Sequence, residues 1–310
     1  MSYNNLIIFL TDRCRSGCPT CNVRAIPENT GMLQYSDLDL IFADPLVSGM
    51  AGKFIIWTGG EPFENFPVLE YGISISGEKG FRSEILSSGY WFRDMPGLLG
   101  KLREKGNFSL RISIDSEHLD FSGGDLLLKL IGECITESIE LNFTVRDIPG
   151  SGESIVEILN KVKKNFPAYA AVRKGDPRWI HHIPHVPVDE IDPYTYEDIL
   201  SLNNSGCKMV FRDLVAGWDG NIYPCCGLFS LPGFEKYSTG SFTGRGLHES
   251  EYGNVRKLFS MIREKGPSGI IQEFGSNNAV GDIPEFRNQC HACLYLLRKY
   301  NEKIEFFLSG

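Results

Sequence analysis

The sequence has no excess of positive charge. Its 310 residues contain 31 Lys and Arg against 39 Asp and Glu, which leaves a formal net charge of −8 at pH 7. Proteins that bind nucleic acid through its phosphates are usually basic. The balance of charge therefore argues against a nucleic-acid partner.

Long apolar runs, targeting signals and internal repeats are absent as well. No stretch approaches the ~20 apolar residues of a membrane helix. Residues 1–5 lack the basic region that begins a signal peptide. We expect a cytoplasmic protein without a membrane partner. Its 42% hydrophobic and 23% charged residues are typical of a globular chain with one large domain, or one large and one small.

Nine cysteines are present, an odd number in clustered spacings, which favours metal binding in a reducing compartment over a disulfide framework. Cys14, Cys18 and Cys21 follow an apolar run at 6–10 that predicts a buried strand. Three thiolates on one loop could hold three irons of a [4Fe–4S] cluster and leave the fourth iron open. Zinc, a disulfide or chance are the alternatives, although structural zinc usually takes four ligands.

Apolar strand patterns alternate with helical ones over the first 180 residues. Strands are predicted at 6–10, 53–57, 81–87, 109–115, 139–145 and 179–183, and helices from 36 and over 67–77, 95–105, 125–134 and 154–165. Such βα units predict a parallel sheet. Parallel sheets carry their chemistry at the carboxyl ends of the strands.

The last hundred residues hold a second set of cysteines. The chain changes composition at 185–193, and Asp219-Gly220 predicts a two-residue hairpin turn. Cys290 and Cys293 form a C-x2-C pair that should open a helix over 294–303. The set comprises Cys207, Cys225, Cys226, Cys290 and Cys293. Its spacing fits a structural zinc site and a second Fe–S cluster equally well.

The cysteine trio and the segment Thr58-Gly59-Gly60-Glu61-Pro62, which follows the second predicted strand, together resemble the radical S-adenosylmethionine (SAM) superfamily. The resemblance implies an α/β fold, a partial (β/α)6 TIM-like barrel. It implies that the trio binds a [4Fe–4S] cluster whose open iron chelates SAM. An electron from a flavodoxin- or ferredoxin-like donor then cleaves SAM to a 5′-deoxyadenosyl radical, which takes a hydrogen from a substrate C–H.

The same resemblance implies residues that bind SAM. They are Gly59, Gly60 and Glu61 for its amino group, Ser113 and Asp115 for its carboxylate or ribose, and Asn142 for its ribose. Ser87 and Ser88 replace the Thr-Asn that often follows the third strand of the family, so contacts at that strand end are less defined. Ser113 and Asn142 fit equally well as satisfied polar strand ends.

The second set of cysteines resembles a twitch domain, a shortened SPASM extension. The order of Cys207, the segment 217–225 and the C-x2-C pair carries this resemblance. It implies one auxiliary [4Fe–4S] cluster with Cys207, Cys225, Cys290 and Cys293 as ligands. We therefore expect a barrel over 1–190, a linker over 191–204 and a small Fe–S domain over 205–310.

Other residues carry weaker indications. Cys226 could donate a hydrogen atom to a substrate radical, replace Cys225 as a ligand, or be a buried apolar residue. Burial is the better explanation for Cys134. The histidines fit substrate contact or satisfied imidazoles better than a further metal. These are His181, His182 and His185, and Arg146, Asp147 and Trp179 are candidates to line the pocket.

Relatives with such extensions mostly modify ribosomal peptides, and some epimerise or dehydrogenate small polar metabolites such as aminoglycoside sugars. We predict epimerisation or a related C–H modification of a natural-product precursor, with a peptide ahead of a sugar. The chain begins at the first strand, without the peptide-recognition domain of many relatives, although a separate protein can supply that domain. A non-catalytic Fe–S or zinc protein that senses redox state or scaffolds a partner is the alternative from another class.

Overall fold

Six parallel strands carry the first part of the chain. They are β1 Leu6–Phe9, β2 Phe54–Thr58, β3 Arg82–Ser87, β4 Phe108–Ile114, β5 Glu140–Arg146 and β6 Ile180–Ile183. The computed structural model describes residues 3–19, 21–50, 52–146, 152–167, 180–183, 206–243, 249–274 and 289–309. Each strand pairs in parallel with the next along the chain. The bounds agree with the predicted ones to within one residue, because apolar β-branched runs between turn residues are a strong strand signal.

Helices connect these strands. They are α1 Tyr35–Ala43, α2 Pro45–Ser48, α3 Phe66–Glu78, α4 Leu98–Lys105, α5 Ser116–Ser122, α6 Gly124–Thr136 and α7 Gly152–Asn165, with short 3-10 turns at Pro62–Asn65 and Tyr90–Arg93. α4 begins three residues later than predicted, because Gly97 precedes it in a left-handed conformation with φ 77°. α5 was not predicted, and the side chain of Asp115 caps it.

The second part of the chain adds three short strands to the same sheet. These are β7 Leu214–Ala216, β8 Asn221–Tyr223 and β9 Gly240–Ser241. β7 pairs in parallel with β1, and β8 and β9 follow antiparallel. The order across the sheet is β6-β5-β4-β3-β2-β1-β7-β8-β9. The α/β class is thus confirmed, and the six-stranded layer is the sheet of a partial barrel.

Three helices close the chain. They are α8 Glu249–Phe274, α9 Gln289–Lys299 and α10 Asn301–Ser309, and α8 is broken at Gly266 ahead of Pro267. The helix predicted over 294–303 was misplaced. α9 begins at Gln289 because His291 and Ala292 already belong to its buried face, so Cys290 and Cys293 lie inside its first turns. None of the described helices is long and apolar enough to cross a membrane.

The predicted hairpin forms, but its loop has three residues instead of two. The Gly217 N–H donates to Asn221 O at 2.9 Å, and the Gly220 N–H to Gly217 O at 3.0 Å. Trp218, Asp219 and Gly220 therefore make the turn, with Gly220 at φ 77°. The Asp219 carboxylate decides this length, because it accepts the Asn221 N–H at 3.1 Å and the Tyr223 hydroxyl at 2.5 Å.

Two hydrophobic cores meet at β1. Leu6 and Ile8 belong to the core that the helices of the barrel cover, and Ile7 and Phe9 belong to the core formed with β7, α8 and α9. The division follows from the alternation of side chains along a strand. The predicted domain boundary stays a prediction, and the predicted linker, 191–204, lies outside the described residues.

Candidate functional site

The cysteine loop leaves the carboxyl end of β1 and is held by its own backbone. The Cys14 N–H donates to Ile26 O at 3.3 Å, and the Cys21 N–H to Cys18 O at 3.0 Å. Cys14 is buried and the other two thiols are half-buried. Burial, and next the Glu61 carboxylate, raise the pKa of Cys14 to about 11, and Cys21 adds to the effect. A metal that binds here would therefore displace protons from the thiols.

The donor set fits an Fe–S cluster. Cys14, Cys18 and Cys21 are free thiols, and three thiolates from one loop are a donor set for three irons. Among the residues that the structure describes, no group of three or more His, Cys, Asp or Glu side chains converges on a single metal ion. These three cysteines would hold the cluster.

The Gly-Gly-Glu segment lies against the backbone of the cysteine loop. The Gly60 N–H donates to Thr11 O at 2.7 Å, and the Glu61 N–H to Arg13 O at 2.9 Å. A Cβ on Gly59 would stand 2.4 Å from Thr11 O, and one on Gly60 would stand 2.1 Å from Arg13 O. Only glycine permits this approach. The two sequence motifs are therefore hydrogen-bonded neighbours at one edge of the sheet.

The Glu61 side chain points to the end of β3. Its buried carboxylate accepts the Ser87 hydroxyl at 2.9 Å, and the N–H and hydroxyl of Ser88 at 2.9 and 2.5 Å. Burial raises the pKa of Glu61, and these donors oppose the increase. Ser87 and Ser88, whose contacts the sequence left undefined, thus hold the glutamate of the motif in place.

A second network fixes the outer side of the loop, and the sequence did not indicate it. Arg15 donates from Nε to Glu64 Oε1 at 2.7 Å and from Nη1 to Asp94 Oδ2 at 2.8 Å. The Tyr90 hydroxyl donates to Glu64 Oε1 at 2.5 Å and accepts the Arg15 N–H at 3.0 Å. Arg13 approaches the same Glu64 at 3.8 Å. The charges of Arg13 and Arg15 are thus paired with the carboxylates of Glu64 and Asp94.

Polar residues of β4 and β5 also find partners. The buried Asn142 side chain donates to Glu84 Oε1 at 3.0 Å, and Arg111 makes a bidentate pair with Glu84 at 3.1 Å for each bond. Ser113 is half-buried and pairs in register with Thr144. These side chains line one face of the sheet. Ser113 lies near the end of β4, whereas Asn142 is the third residue of β5 and not its end, beside a charged pair that the sequence did not indicate.

Asp115 contacts a histidine that the sequence analysis did not single out. Its fully buried carboxylate accepts the His118 N–H at 3.0 Å and lies 2.8 Å from His118 Nδ1. The other ring nitrogen, Nε2, stands 3.9 Å from Cys18 Sγ. Since Cys18 and His118 are far apart in sequence, only the tertiary structure reveals this contact.

The second set of cysteines gathers at one place. The Cys207 N–H donates to Ile262 O at 3.2 Å. Burial raises the pKa of Cys225 well above its ordinary value, and Cys226, Cys293 and Cys290 add to the effect. Burial, and next Cys290 and Cys207, raise the pKa of Cys293 well above its ordinary value. These thiols are near enough to act on one another's pKa and are the donors available to a metal in this part of the chain.

Cys226 lies beside a charged pair, Asp213 and Arg212. Burial and then Asp213 raise its pKa, and Arg212 opposes the increase. Asp213 is buried and accepts Arg212 Nη2 at 2.5 Å. Cys134 is fully buried in α6, as predicted.

Aromatic rings lie between the two cysteine regions. The rings of Phe9 and Phe229 are tilted by 33° with centroids 4.0 Å apart, and the ring centroid of Trp218 lies 4.9 Å from that of Phe229. The indole of Trp218 also covers Gly31, where a Cβ would stand 2.5 Å from Trp218 Cδ1. The tip of the hairpin thus packs on the segment that holds the cysteine loop, because the Gly31 N–H donates to Asp12 Oδ1 at 2.8 Å.

The remaining predicted pocket residues are only partly described. His181 and His182 lie on β6, where His181 pairs in register with Thr144, and Arg146 ends β5. His185, Asp147 and Trp179 lie outside the described residues.

Comparison with known proteins points in one direction. No family model matches the chain. YydG of Bacillus subtilis (strain 168), which its name assigns provisionally to peptide biosynthesis, is 25% identical over 334 aligned residues, 98% of this chain and 95% of that protein. Native anSMEcpe with bound AdoMet and the Cp18Cys peptide has a TM-score of 0.58 at 13% identity and 98% coverage of both chains. Native anSMEcpe with AdoMet gives 0.56 at 13% identity and 99% coverage of both. These structures share the fold of this chain.

Proposed function

We propose that this chain, a radical SAM protein with a twitch extension by its motifs and fold, modifies a C–H bond of a peptide. The observation that carries the proposal is the cysteine loop hydrogen-bonded to Gly60 and Glu61 at the carboxyl end of parallel strands, where such sheets carry chemistry. When bound, the cluster and SAM supply the 5′-deoxyadenosyl radical that takes the substrate hydrogen. The protein holds the loop, orients SAM and excludes water.

We assign SAM to the polar edge beside this loop. The backbone of Gly59, Gly60 and Glu61 takes its amino group, since the Glu61 carboxylate already accepts hydrogen bonds from Ser87 and Ser88. Ser113 takes the carboxylate or ribose and Asn142 the ribose, whereas Asp115 is fully buried and its carboxylate holds His118, so we assign it no contact with SAM. Ser113 is half-buried, so its side chain is partly accessible to a ligand, and this supports the assignment.

A peptide is the favoured substrate. The name of YydG assigns that relative to peptide biosynthesis, and anSMEcpe, which shares the fold, holds a peptide together with AdoMet. A small polar metabolite such as an aminoglycoside sugar is the second candidate substrate.

We further propose that Cys207, Cys225, Cys290 and Cys293 hold the auxiliary cluster and that Cys226 decides the outcome. In epimerisation the Cys226 S–H bond breaks, and a C–H bond forms on the opposite face of the substrate carbon. The sulfur radical left behind takes one electron, from the flavodoxin- or ferredoxin-like donor, and one proton from water. If the auxiliary cluster instead accepts an electron from the substrate radical, the product is oxidised.

Formation of 5′-deoxyadenosine tests the first step. Anaerobically reconstituted protein with SAM, a reductant and peptides encoded by neighbouring genes should form it, and Cys14→Ala/Cys18→Ala/Cys21→Ala should not. A Cys134→Ala variant serves as the thiol control, because Cys134 is buried in a helix. Full iron content without SAM cleavage would favour a sensor or scaffold instead of an enzyme.

Heavy water tests the second step. Deuterium should enter the product of the unaltered protein and of Cys134→Ala, whereas Cys226→Ala should form 5′-deoxyadenosine without labelled epimer. Labelled epimer from Cys226→Ala would exclude the donor role. A product two hydrogens lighter would favour dehydrogenation.

A further inference from the structure

A carboxylate, an imidazole and a thiol lie in a row in space, from the end of β4 to the cysteine loop. Asp115, the residue after β4, has no exposed surface. It holds His118 at two points, the backbone N–H at 3.0 Å and the ring Nδ1, which lies 2.8 Å from both carboxylate oxygens. The ring is therefore fixed in direction as well as in place.

The free end of the ring faces the sulfur of Cys18. His118 Nε2 lies 3.9 Å from Cys18 Sγ, and the His118 side chain is only 15% exposed. A carboxylate behind one ring nitrogen and a metal-site atom before the other is the arrangement by which proteins orient histidines around metals. α5 thus carries a built partner for one cysteine of the trio.

We propose that His118, oriented by Asp115, donates a hydrogen bond to the Cys18 sulfur of the bound cluster and thereby raises the cluster's reduction potential. The inference rests on the proposed function, in which Cys18 is a cluster ligand. Hydrogen bonds to cluster sulfurs make electron uptake easier, because they offset the negative charge that reduction adds. His118 acts through Cys18 and is a positioning residue.

An EPR-monitored redox titration of the full-length, reconstituted protein tests the proposal. The signal to follow is the one that changes when SAM is added, because only a cluster with an open iron responds to SAM. His118→Phe should lower the equilibrium constant for reduction about tenfold, which is about 59 mV for one electron. His118→Gln, which keeps an N–H, and Asp115→Asn, which loosens the ring, should give smaller decreases.

Asp120→Asn is the matched control, because it removes an exposed carboxylate from the same helix without touching the ring. Its potential should equal that of the unaltered protein. An unchanged potential in His118→Phe at full iron content would overturn the proposal.

Histidine labelled with 15N gives a readout that needs no substitution. Without SAM, the reduced cluster should show a weak nitrogen coupling that Asp115→Asn diminishes. A strong coupling would make His118 a direct iron ligand and would also overturn the proposal. If no signal of the unaltered protein responds to SAM, it is the proposed function that fails. A SAM-responsive signal whose reduction potential is unchanged in His118→Phe rejects only this inference.

Discussion

At the scale of single residues, Gly60 shows how closely the two motifs are packed. Its N–H donates to Thr11 O at 2.7 Å, and a Cβ there would stand 2.1 Å from Arg13 O. Gly60→Ala should therefore push the cysteine loop away from β2. We expect a loss of about 2–3 kcal/mol in the free energy of unfolding, measured by urea denaturation of the metal-free, reduced protein.

Gly77→Ala is the matched control for this substitution. Gly77 is exposed in α3, and a Cβ there meets nothing within 4 Å. Alanine should stabilise the helix by up to about 1 kcal/mol. If both substitutions changed the free energy of unfolding equally, an added side chain at Gly60 would not disturb the contact with the cysteine loop.

Cys134 gives a residue-scale prediction about pH. Burial, and next Glu133, raise the pKa of this thiol from 9.0 to about 12. The folded protein therefore keeps a proton that the unfolded chain loses above pH 9. The stability that this group contributes is complete below pH 9 and is lost between pH 9 and pH 12, at up to about 1.4 kcal/mol per pH unit.

The Cys134→Ala variant isolates this contribution. Between pH 9 and pH 10.5 the unaltered protein should lose more stability than the variant, as measured by urea denaturation under reducing, metal-free conditions. Parallel pH curves for the two proteins would contradict the prediction.

At the scale of elements, the hairpin of β7 and β8 depends on one glycine. Gly220 has φ 77°, and a Cβ there would stand 2.6 Å from Thr243 Cγ2. Gly220→Ala adds a clash to the conformational cost of a left-handed alanine. We expect a loss of about 2–4 kcal/mol in unfolding free energy and a lower iron content at the second cysteine set.

Gly233→Ala separates the two causes. Gly233 also has a positive φ, 66°, but a Cβ there meets nothing within 4 Å. This variant should lose only about 1–2 kcal/mol and keep its iron. A larger loss at Gly233 than at Gly220 would refute the role of the contact with Thr243.

At the scale of the whole molecule, β1 belongs to both halves. It pairs with β2 on one side and β7 on the other, and its alternate residues enter the two cores. A chain that ends at residue 205 would leave the edge of β1 unpaired and expose Ile7 and Phe9. We expect that chain to aggregate and to show no cooperative unfolding.

Full-length Cys290→Ala/Cys293→Ala is the control, because it alters the proposed second metal site and keeps β7. It should keep the oligomeric state of the unaltered protein and lose about four irons, the content of one [4Fe–4S] cluster. Size-exclusion chromatography and iron analysis measure both outcomes. A 1–205 fragment that does not aggregate and unfolds cooperatively would mean that the barrel is an independent domain.

Much of the fold could be predicted from the sequence, because its signals are local. Apolar runs mark the six parallel strands, and glycines at 59 and 60 follow one of them directly. The cysteine spacing lies within eight residues. The bounds of α9 and the length of the hairpin loop were wrong, because the buried face around His291 and Ala292 and the bonds of Asp219 depend on packing.

By itself the sequence determined the order of strands and helices and the thiols available to metal, since these depend on residues a few positions apart. Only the tertiary structure decided which side chains meet. It joins Glu61 to Ser88, Arg15 to Asp94 and His118 to Cys18. Each of these contacts spans a long stretch of chain. The physical reason is that a hydrogen bond depends on the distance and angle between two groups in the folded chain, which a linear pattern of polarity does not encode.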